Sequence, residues 1–410
     1  MATDPTTSEL PNSVRVLSSL SEIAREEWDA CANPGWQSER PLESPSQELP
    51  YNPFLSYDYL WSLEESGSAI PETGWYSRHL VLETPGEAPL AVVPAYLKTH
   101  SQGEYVFDHG WADAYERAGG DYYPKLQISV PFTPVTGRRL LVRDLHRRNK
   151  IEALLSAAIQ QVTAQYEASS AHLTFLTERE WSSLSEKEFL RRTDQQFHWQ
   201  NNDYTTYDDF LAALSSSKRK ALRKERRKAL ENDIDIEHLT GSDLTEEHWD
   251  IFFDFYIDTG NRKWGTPYLT RKFFSLINER MADRVLLIMA KREGRYIAGA
   301  LNFIGSETVY GRNWGCLEDH PFLHFELCYH QAIDWAINNG YKSVEAGAQG
   351  AHKLARGYVP TTTHSAHWIP NPGFRRAVEN YLEQERLHVK MEQEALAAHA
   401  PFKKSDKGTL

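Results

Sequence analysis

Three strand-length apolar runs, at 285–291, 296–304 and 308–314, follow one another with Gly294 and Gly305 at the turns. They predict an antiparallel meander. Behind them, PFLHFELCYHQAIDWAINNG (321–340) has helical periodicity and stops at Gly340, and KSVEAG (342–347) reads as a further strand. A strand-helix-strand unit behind a meander calls for a mixed sheet covered by helices. The first half runs a similar programme. A strand at 14–17 precedes a helix that Ser19 or Ser21 can cap, and a second helix in 54–67 ends at Gly67. A hairpin pairs 79–83 with 90–97 around a Pro-Gly turn, and 105–107 reads as a third short strand. Pro131 and Pro134 would break a central strand in 122–142, while 151–169 is a helix and 171–178 a strand. The pattern then restarts with a long helix from about Tyr207, a strand from about Asp233, and helices at 249–263 and 269–282. After the meander unit come a strand at 364–369 and a long helix at 373–400. The repeat is one of fold, since no residue-level identity links the halves. The expected class is therefore α/β, with mixed α+β sheets. The expected division is a polar tail (1–13), a first domain (14–200), a second (201–372), and a C-terminal helix and tail (373–410).

Composition narrows the function. The chain has 410 residues, 45 Lys+Arg against 57 Asp+Glu and a formal net charge of −12, which argues against indiscriminate DNA binding. No stretch reaches the ~18 apolar residues of a membrane helix, so an integral membrane protein is not expected. MATDPTTSELPNS has no apolar h-region, so a cytoplasmic location is expected. Cys31, Cys316 and Cys328 are odd in number and show no Cys-x-x-Cys spacing, so they read as reduced packing residues. The sixteen His include no His-Glu-x-x-His pair, so no metal site is expected. Twelve Trp and 20 Tyr supply amphipathic ring surface for a ligand cleft or for a large core.

Five segments carry side chains suited to chemistry. In SKRKALRKERRKAL, Lys218 to Lys228 hold eight basic residues and one acid, Glu225. On a helix Arg219, Arg223 and Arg227 align at i, i+4, i+8. Such a face suits phosphates of tRNA, a nucleotide-linked sugar, CoA or anionic lipid, or else is a solvated, salt-bridged surface. In VEAGAQGAHKLARGYVP (344–360), a strand runs into glycines and then into His352, Lys353 and Arg356. Those cations would hold an anionic donor, Tyr358 adds a phenol, and Glu345 could accept a proton if burial raised its pKa. Thr259, Arg262, Lys263 and Trp264 lie where a helix gives way to a loop, and Arg262 is a candidate for the acceptor. Tyr310, Arg312 and Trp314 alternate on one strand face, and His324 and Glu326 open the next helix. Asp108, His109 and Trp111, in a segment dense in Asp, His, Tyr and Trp, read as an acceptor-cleft wall. No P-loop, G-x-G-x-x-G or G-x-S-x-G motif occurs, which removes P-loop, hydride and serine-nucleophile chemistry.

The order SSSKRKALRKERRKALENDIDI, FYIDTGNRKWGTPYLTRKFF, AGALNFIGSETVYGRNWG, INNGYKSVEAGAQG resembles the second half of FemAB-like peptidoglycan aminoacyltransferases. NPFLSYDYLWSLEESG, GEYVFDHGWADAYERAGGDYYPKLQISVPFTPVTG and GAQGAHKLARGYVP resemble signature blocks of the bacterial FemAB-like predicted N-acyltransferases, over roughly 14–400. The resemblance implies two tandem GNAT-like domains and transfer of an acyl or aminoacyl group to an amine. GNAT acetyltransferases cradle the CoA pyrophosphate on a Gln/Arg-x-x-Gly-x-Gly/Ala turn. The corresponding helix here begins EDHPFLHFELCYHQ without those glycines, whereas Fem relatives take aminoacyl-tRNA. The donor is thus left open between acyl-CoA and aminoacyl-tRNA, each a co-substrate rather than a tightly bound cofactor.

The expected reading is a transferase in which Glu345 takes the proton and Tyr310 or Tyr358 protonates the leaving group. Arg312, Trp314, His352, Lys353 and Arg356 hold the donor, together with the basic helix. The acceptor is a small molecule or cell-wall precursor. The alternative is a binding module for such a precursor, and the basic and C-terminal helices could also support peripheral membrane contact. Replacing Lys353 and Arg356 by Ala is expected to abolish turnover without unfolding.

Overall fold

The computed structural model describes residues 13–36, 49–263, 267–347 and 350–403, with the side chains of 261–263 and 351 outside the description. The first half runs β1 (Ser13–Leu17), α1 (Arg25–Ala32), α2 (Tyr57–Glu65), β2 (Trp75–Ser77), β3 (His79–Glu83), β4 (Ala91–Val93) and β5 (Ala95–Lys98). It continues through α3 (His109–Arg117), β6 (Lys125–Ile128), β7 (Leu141–Val142), α4 (Arg148–Gln165), β8 (Ala171–Leu176), α5 (Glu178–Ser185) and β9 (Leu190–Gln200). The second half runs α6 (Tyr207–Ala213), α7 (Ser216–Ala229), β10 (Ile234–Leu239), α8 (Glu246–Lys263), α9 (Arg271–Met281), β11 (Val285–Arg292), β12 (Arg295–Ile304) and β13 (Thr308–Cys316). It ends with α10 (Leu323–Phe325), a π-turn (Glu326–Gln331), α11 (Ala332–Asn338), β14 (Ser343–Glu345), β15 (Val359–Trp368) and α12 (Pro372–Ala397).

The fold is mixed α/β with largely antiparallel sheets. One sheet has the order β1-β3-β4-β7; the other has eleven strands, β10-β11-β12-β13-β14-β9-β15-β8-β6-β5-β2. The halves exchange their closing strands. In each, one parallel pair follows a crossover helix: β6 with β8, and β13 with β14. The strand that follows then leaves for the other half: β9 lies against β14, β15 lies against β8, and the two pair antiparallel with each other. This reciprocity is the fold-level repeat. It also makes the sheet continuous across residue 200.

Two local expectations are corrected, and one strand that the sequence reading did not foresee is added. Residues 105–107 form no strand. The helix expected from Tyr207 is two helices, because Leu214 pairs with Phe402 and the Ser215 N–H donates to Pro401 O, so this backbone is taken by the C-terminal segment. The polar run LRRTDQQFHWQ is a central strand, its two edges paired with β15 and β14. Among the described residues, no helix is long and apolar enough to cross a membrane.

The largest core cluster joins the halves. Phe54 and Tyr59 of the first pack edge-on or tilted against Phe303 of the second at ring distances of 5.1 and 5.3 Å. Aromatic burial of this kind contributes well beyond ~1 kcal/mol per pair, so this cluster ties the two halves together.

Candidate functional site

The parallel pairing of β13 with β14 lasts three residues, Thr308 with Ser343, Val309 with Val344 and Tyr310 with Glu345. Beyond Tyr310, β13 runs on to Cys316 while β14 ends, so the sheet opens there. A bulge marks the same point. Leu301 faces Asn313 and Asn302 faces Gly311, which leaves Arg312 as the extra residue and re-aims its side chain. The Arg312 Nη2 donates to Phe132 O at 2.6 Å, a carbonyl of the first half whose residue has φ 58. Next to it lies a cavity of about 100 Å³ lined by Asn302, Arg312, Trp314, His324, Cys328 and Tyr329. Asn302 is 1% exposed; its Nδ2 donates to Leu286 O and Ala300 O, while its Oδ1 has no partner among the described residues. A second cavity of about 360 Å³ extends past Trp314 and His324 to Phe322 and Phe325. Phe322 is left-handed (φ 68) and precedes the short α10, from which the π-turn continues. Strain and π-turns of this kind collect at ligand sites.

Glu345 ends β14, with Tyr310 on one side and His198 of β9 on the other. Its Oε1 lies 3.8 Å from His198 Nδ1, and its Oε2 is buried with no partner among the described residues. Burial pushes Glu345 up to about 8, against the pull of Arg312. Burial first, then the Lys353 charge, hold His198 down at about 4, so it is neutral. Its tautomer follows from Gln196. The Gln196 Nε2 donates to Pro134 O at 2.6 Å, which turns Oε1 toward His198 Nε2 at 3.1 Å. His198 therefore donates from Nε2 and presents a lone pair at Nδ1. When ionised, Glu345 faces that lone pair acceptor to acceptor. A group rich in N–H donors satisfies both.

Lys353 is 2% exposed; its Nζ donates to Gly347 O at 2.8 Å, and burial lowers it to about 8. Its turn requires Gly350 (φ +119), where a Cβ would come within 2.4 Å of His352.

The structure thus gathers Glu345, Tyr310, Arg312 and Lys353, with Trp314 lining the adjoining cavities. Tyr310 is 7% exposed, its ring edge-on to Phe54 at 5.3 Å, and burial raises its pKa. Tyr358 is fully buried against Tyr329, and burial raises it well above the phenol range. His352 is exposed, with Nε2 2.9 Å from Tyr329 Oη. Arg356 is held inside the fold. Its guanidinium donates to both Glu225 oxygens at 2.8 and 2.7 Å and lies 3.4 Å over the Phe325 ring. On α7, Arg223 and Arg227 are exposed and Arg219 is half-buried; Arg223 pairs with Asp208 at 2.9 Å. The one acid of this helix, Glu225, reaches inward to Arg356 and His330.

Asp108, His109 and Trp111 form a separate group. Asp108 is buried between Lys125, Ser101 and Tyr122, and the Lys125 and His172 charges outweigh burial to hold it below the usual carboxylate range. Trp111 packs edge-on to His367 at 4.9 Å, and His109 is exposed beside Phe107. The side chain of Arg262, like Trp264, lies outside the described residues.

His198, Gln196, Asn302 and Phe132 are the site residues that sequence reasoning missed. Their signals were present: an alternation of Phe197 and Trp199 around His198, an Asn inside an apolar strand, and a Phe flanked by Pro131 and Pro134.

The chain is similar to known structures. The crystal structure of FemX superposes with a TM-score of 0.52 at 13% identity, covering 87% of this chain and 98% of that one, which shows a common fold. A conserved protein of unknown function from Bacteroides thetaiotaomicron VPI-5482 gives 0.49 at 13% identity, covering 87% and 99%. A tandem GNAT protein from the clavulanic acid biosynthesis pathway gives 0.44 at 10% identity, covering 88% and 99%. No curated protein matches the chain. The FemAB-like family, described as peptidoglycan biosynthesis/recognition, matches residues 19–404. The chain belongs to the FemAB-like family.

Proposed function

We propose that the protein transfers an acyl or aminoacyl group from an activated ester or thioester to an amine, with Glu345 as general base. The observation that carries the reading is the pair of acceptors at the opening of β13 from β14: Glu345, with a buried oxygen unpartnered among the described residues, and the Nδ1 of neutral His198 3.8 Å from its other oxygen. An amine fills that position as a donor of N–H bonds. Its nitrogen attacks the donor carbonyl, the C–N bond forms, and the C–O or C–S bond to the carrier breaks. Glu345 takes the ammonium proton, and the leaving group departs with a proton from solvent.

The cavities beside Arg312, Trp314 and His324 suit the donor. Arg312 is fixed by Phe132 O and turns its remaining N–H donors toward the carbonyl or its carrier. The exposed cations of α7 suit a phosphate-rich carrier, which favours aminoacyl-tRNA as donor. The family description favours a peptidoglycan precursor as the context of the acceptor. The test is mass spectrometry of acceptor amines incubated with the purified protein and either aminoacyl-tRNA or acyl-CoA. A mass increase of one acyl or aminoacyl group, dependent on protein, is expected. Saturable binding of both substrates without product would replace the transferase by a binding module.

A further inference from the structure

Asn302 carries a buried acceptor that the sheet does not use. The residue is 1% exposed on β12, and its Nδ2 donates to Leu286 O and Ala300 O, both at 3.3 Å. Two carbonyls on one side fix the sense of the amide, so its other end is Oδ1, an acceptor with no partner among the described residues. Asn302 lines the cavity of about 100 Å³ together with Gly311, Arg312, Trp314, Tyr329 and Ala346.

Gly311 shows where Oδ1 points. A Cβ there would stand 3.3 Å from Asn302 Oδ1 and 3.3 Å from the Glu345 carbonyl oxygen, so glycine keeps open a spot between the two. Strand alternation sorts the two residues onto opposite faces. Asn302 shares the face of Ala300 and Ile304, which pack in one cluster with Leu327 and Tyr329 of the π-turn. Glu345 follows Val344 of that cluster, so its side chain turns to the other face, as does its partner Tyr310. The cavity therefore reaches the opening of β13 from β14 from behind. A donor carbonyl at the opening meets the amine on the Glu345 side, while its α-carbon and substituents lie on the Asn302 side.

Resting on the transferase reading, we propose that Asn302 is a specificity-determining residue, whose Oδ1 accepts an N–H from the α-amino group of the donor. An acyl group without that nitrogen leaves Oδ1 buried and unpaired, which is the costly state of a polar group. Arg312, a cation on the same cavity, favours the neutral amine. The site thus selects an α-aminoacyl donor over an acyl donor of equal size.

The test uses donor pairs that differ only in the α-amino group: alanyl with propionyl, and phenylalanyl with phenylpropionyl, each as an ester on tRNA and as a thioester on CoA. Binding to the full chain is measured at equilibrium, and transfer in single turnovers with excess amine. The wild type should bind the amino member at least about 10-fold more tightly than its partner. Asn302→Leu should bring that ratio close to one, chiefly by weakening the amino member. Asn302→Asp, which keeps an acceptor oxygen, should hold the preference. The wild-type ratio decides even where Asn302→Leu fails to fold: no preference in either pair on either carrier overturns the assignment. A ratio unchanged in Asn302→Leu, the result if Oδ1 only holds a water, overturns it too. A preference that the variant loses, with no product from any amine, upholds Asn302 and sinks the transferase reading instead.

Discussion

His198 Nδ1 and Glu345 Oε1 lie 3.8 Å apart across the pairing of β9 with β14, so the last strand of the first half completes the site of the second. The cost of that arrangement falls on Glu345. Its folded-state value of about 8 lies above its ordinary 4.5, so the folded chain binds this proton more tightly than the unfolded chain. The resulting contribution to stability is full below 4.5 and is lost as pH rises through about 8. Glu345→Gln removes the dependence. Its Tm should exceed that of the wild type by a margin that widens from pH 5 to pH 9, reaching a few degrees in scanning calorimetry. A margin independent of pH would count against a carboxylate destabilised by burial.

Arg356 and Glu225 behave as a structural pair. Arg356→Met leaves a half-buried carboxylate with His330 as its other partner, and should cost about 3 kcal/mol in denaturant unfolding. Adding Glu225→Gln should restore part of that loss. The expectation that Arg356→Ala would spare the fold is thereby revised. Full stability of the single variant would restore it.

Asp108→Asn should likewise act on stability. It leaves the fully buried Lys125 with Glu104 as its remaining carboxylate partner and should cost about 3 kcal/mol or more. Below its lowered Tm, the variant should keep the wild-type KM for the acceptor. A raised KM in a protein of unchanged Tm would place Asp108 at the acceptor.

The α7 cations lend themselves to a salt titration. Replacing Arg219, Arg223 and Arg227 by Gln removes up to three phosphate contacts, so the slope of log affinity for tRNA against log salt should fall by about 2. Tm should hardly change, because the ion pair that these side chains make among the described residues, Arg223 with Asp208, is exposed. An unchanged slope would move the donor carrier elsewhere.

Sequence alone reached the fold through periodicity: the meander of β11 to β13, the crossover helix and β14 are each dictated by apolar spacing and glycine turns. It did not reach β9. LRRTDQQFHWQ is too polar to read as a central strand, and it becomes one because β14 and β15 take up its backbone groups. The site was half legible for the same reason. Glu345, Arg312 and Lys353 sit beside glycines or in an alternating strand that flags them. His198 and Gln196 acquire their roles only when the halves exchange strands, and Phe132 only when its carbonyl meets Arg312 from 180 residues away. Arg356 and Asp108 looked functional because charge in sequence gives no sign of the partner that will neutralise it.

The most direct measurement is the pH dependence of single-turnover transfer for the wild type and Glu345→Gln, followed by mass spectrometry of the acylated amine. The wild-type rate should climb tenfold per pH unit below about 8 and level off above it, with His198 neutral throughout. The variant should be slower by 10²–10⁴-fold at the plateau and bind the donor as before. A variant that turns over at the wild-type rate, or a wild-type profile flat from pH 6 to 9, would contradict Glu345 as the base.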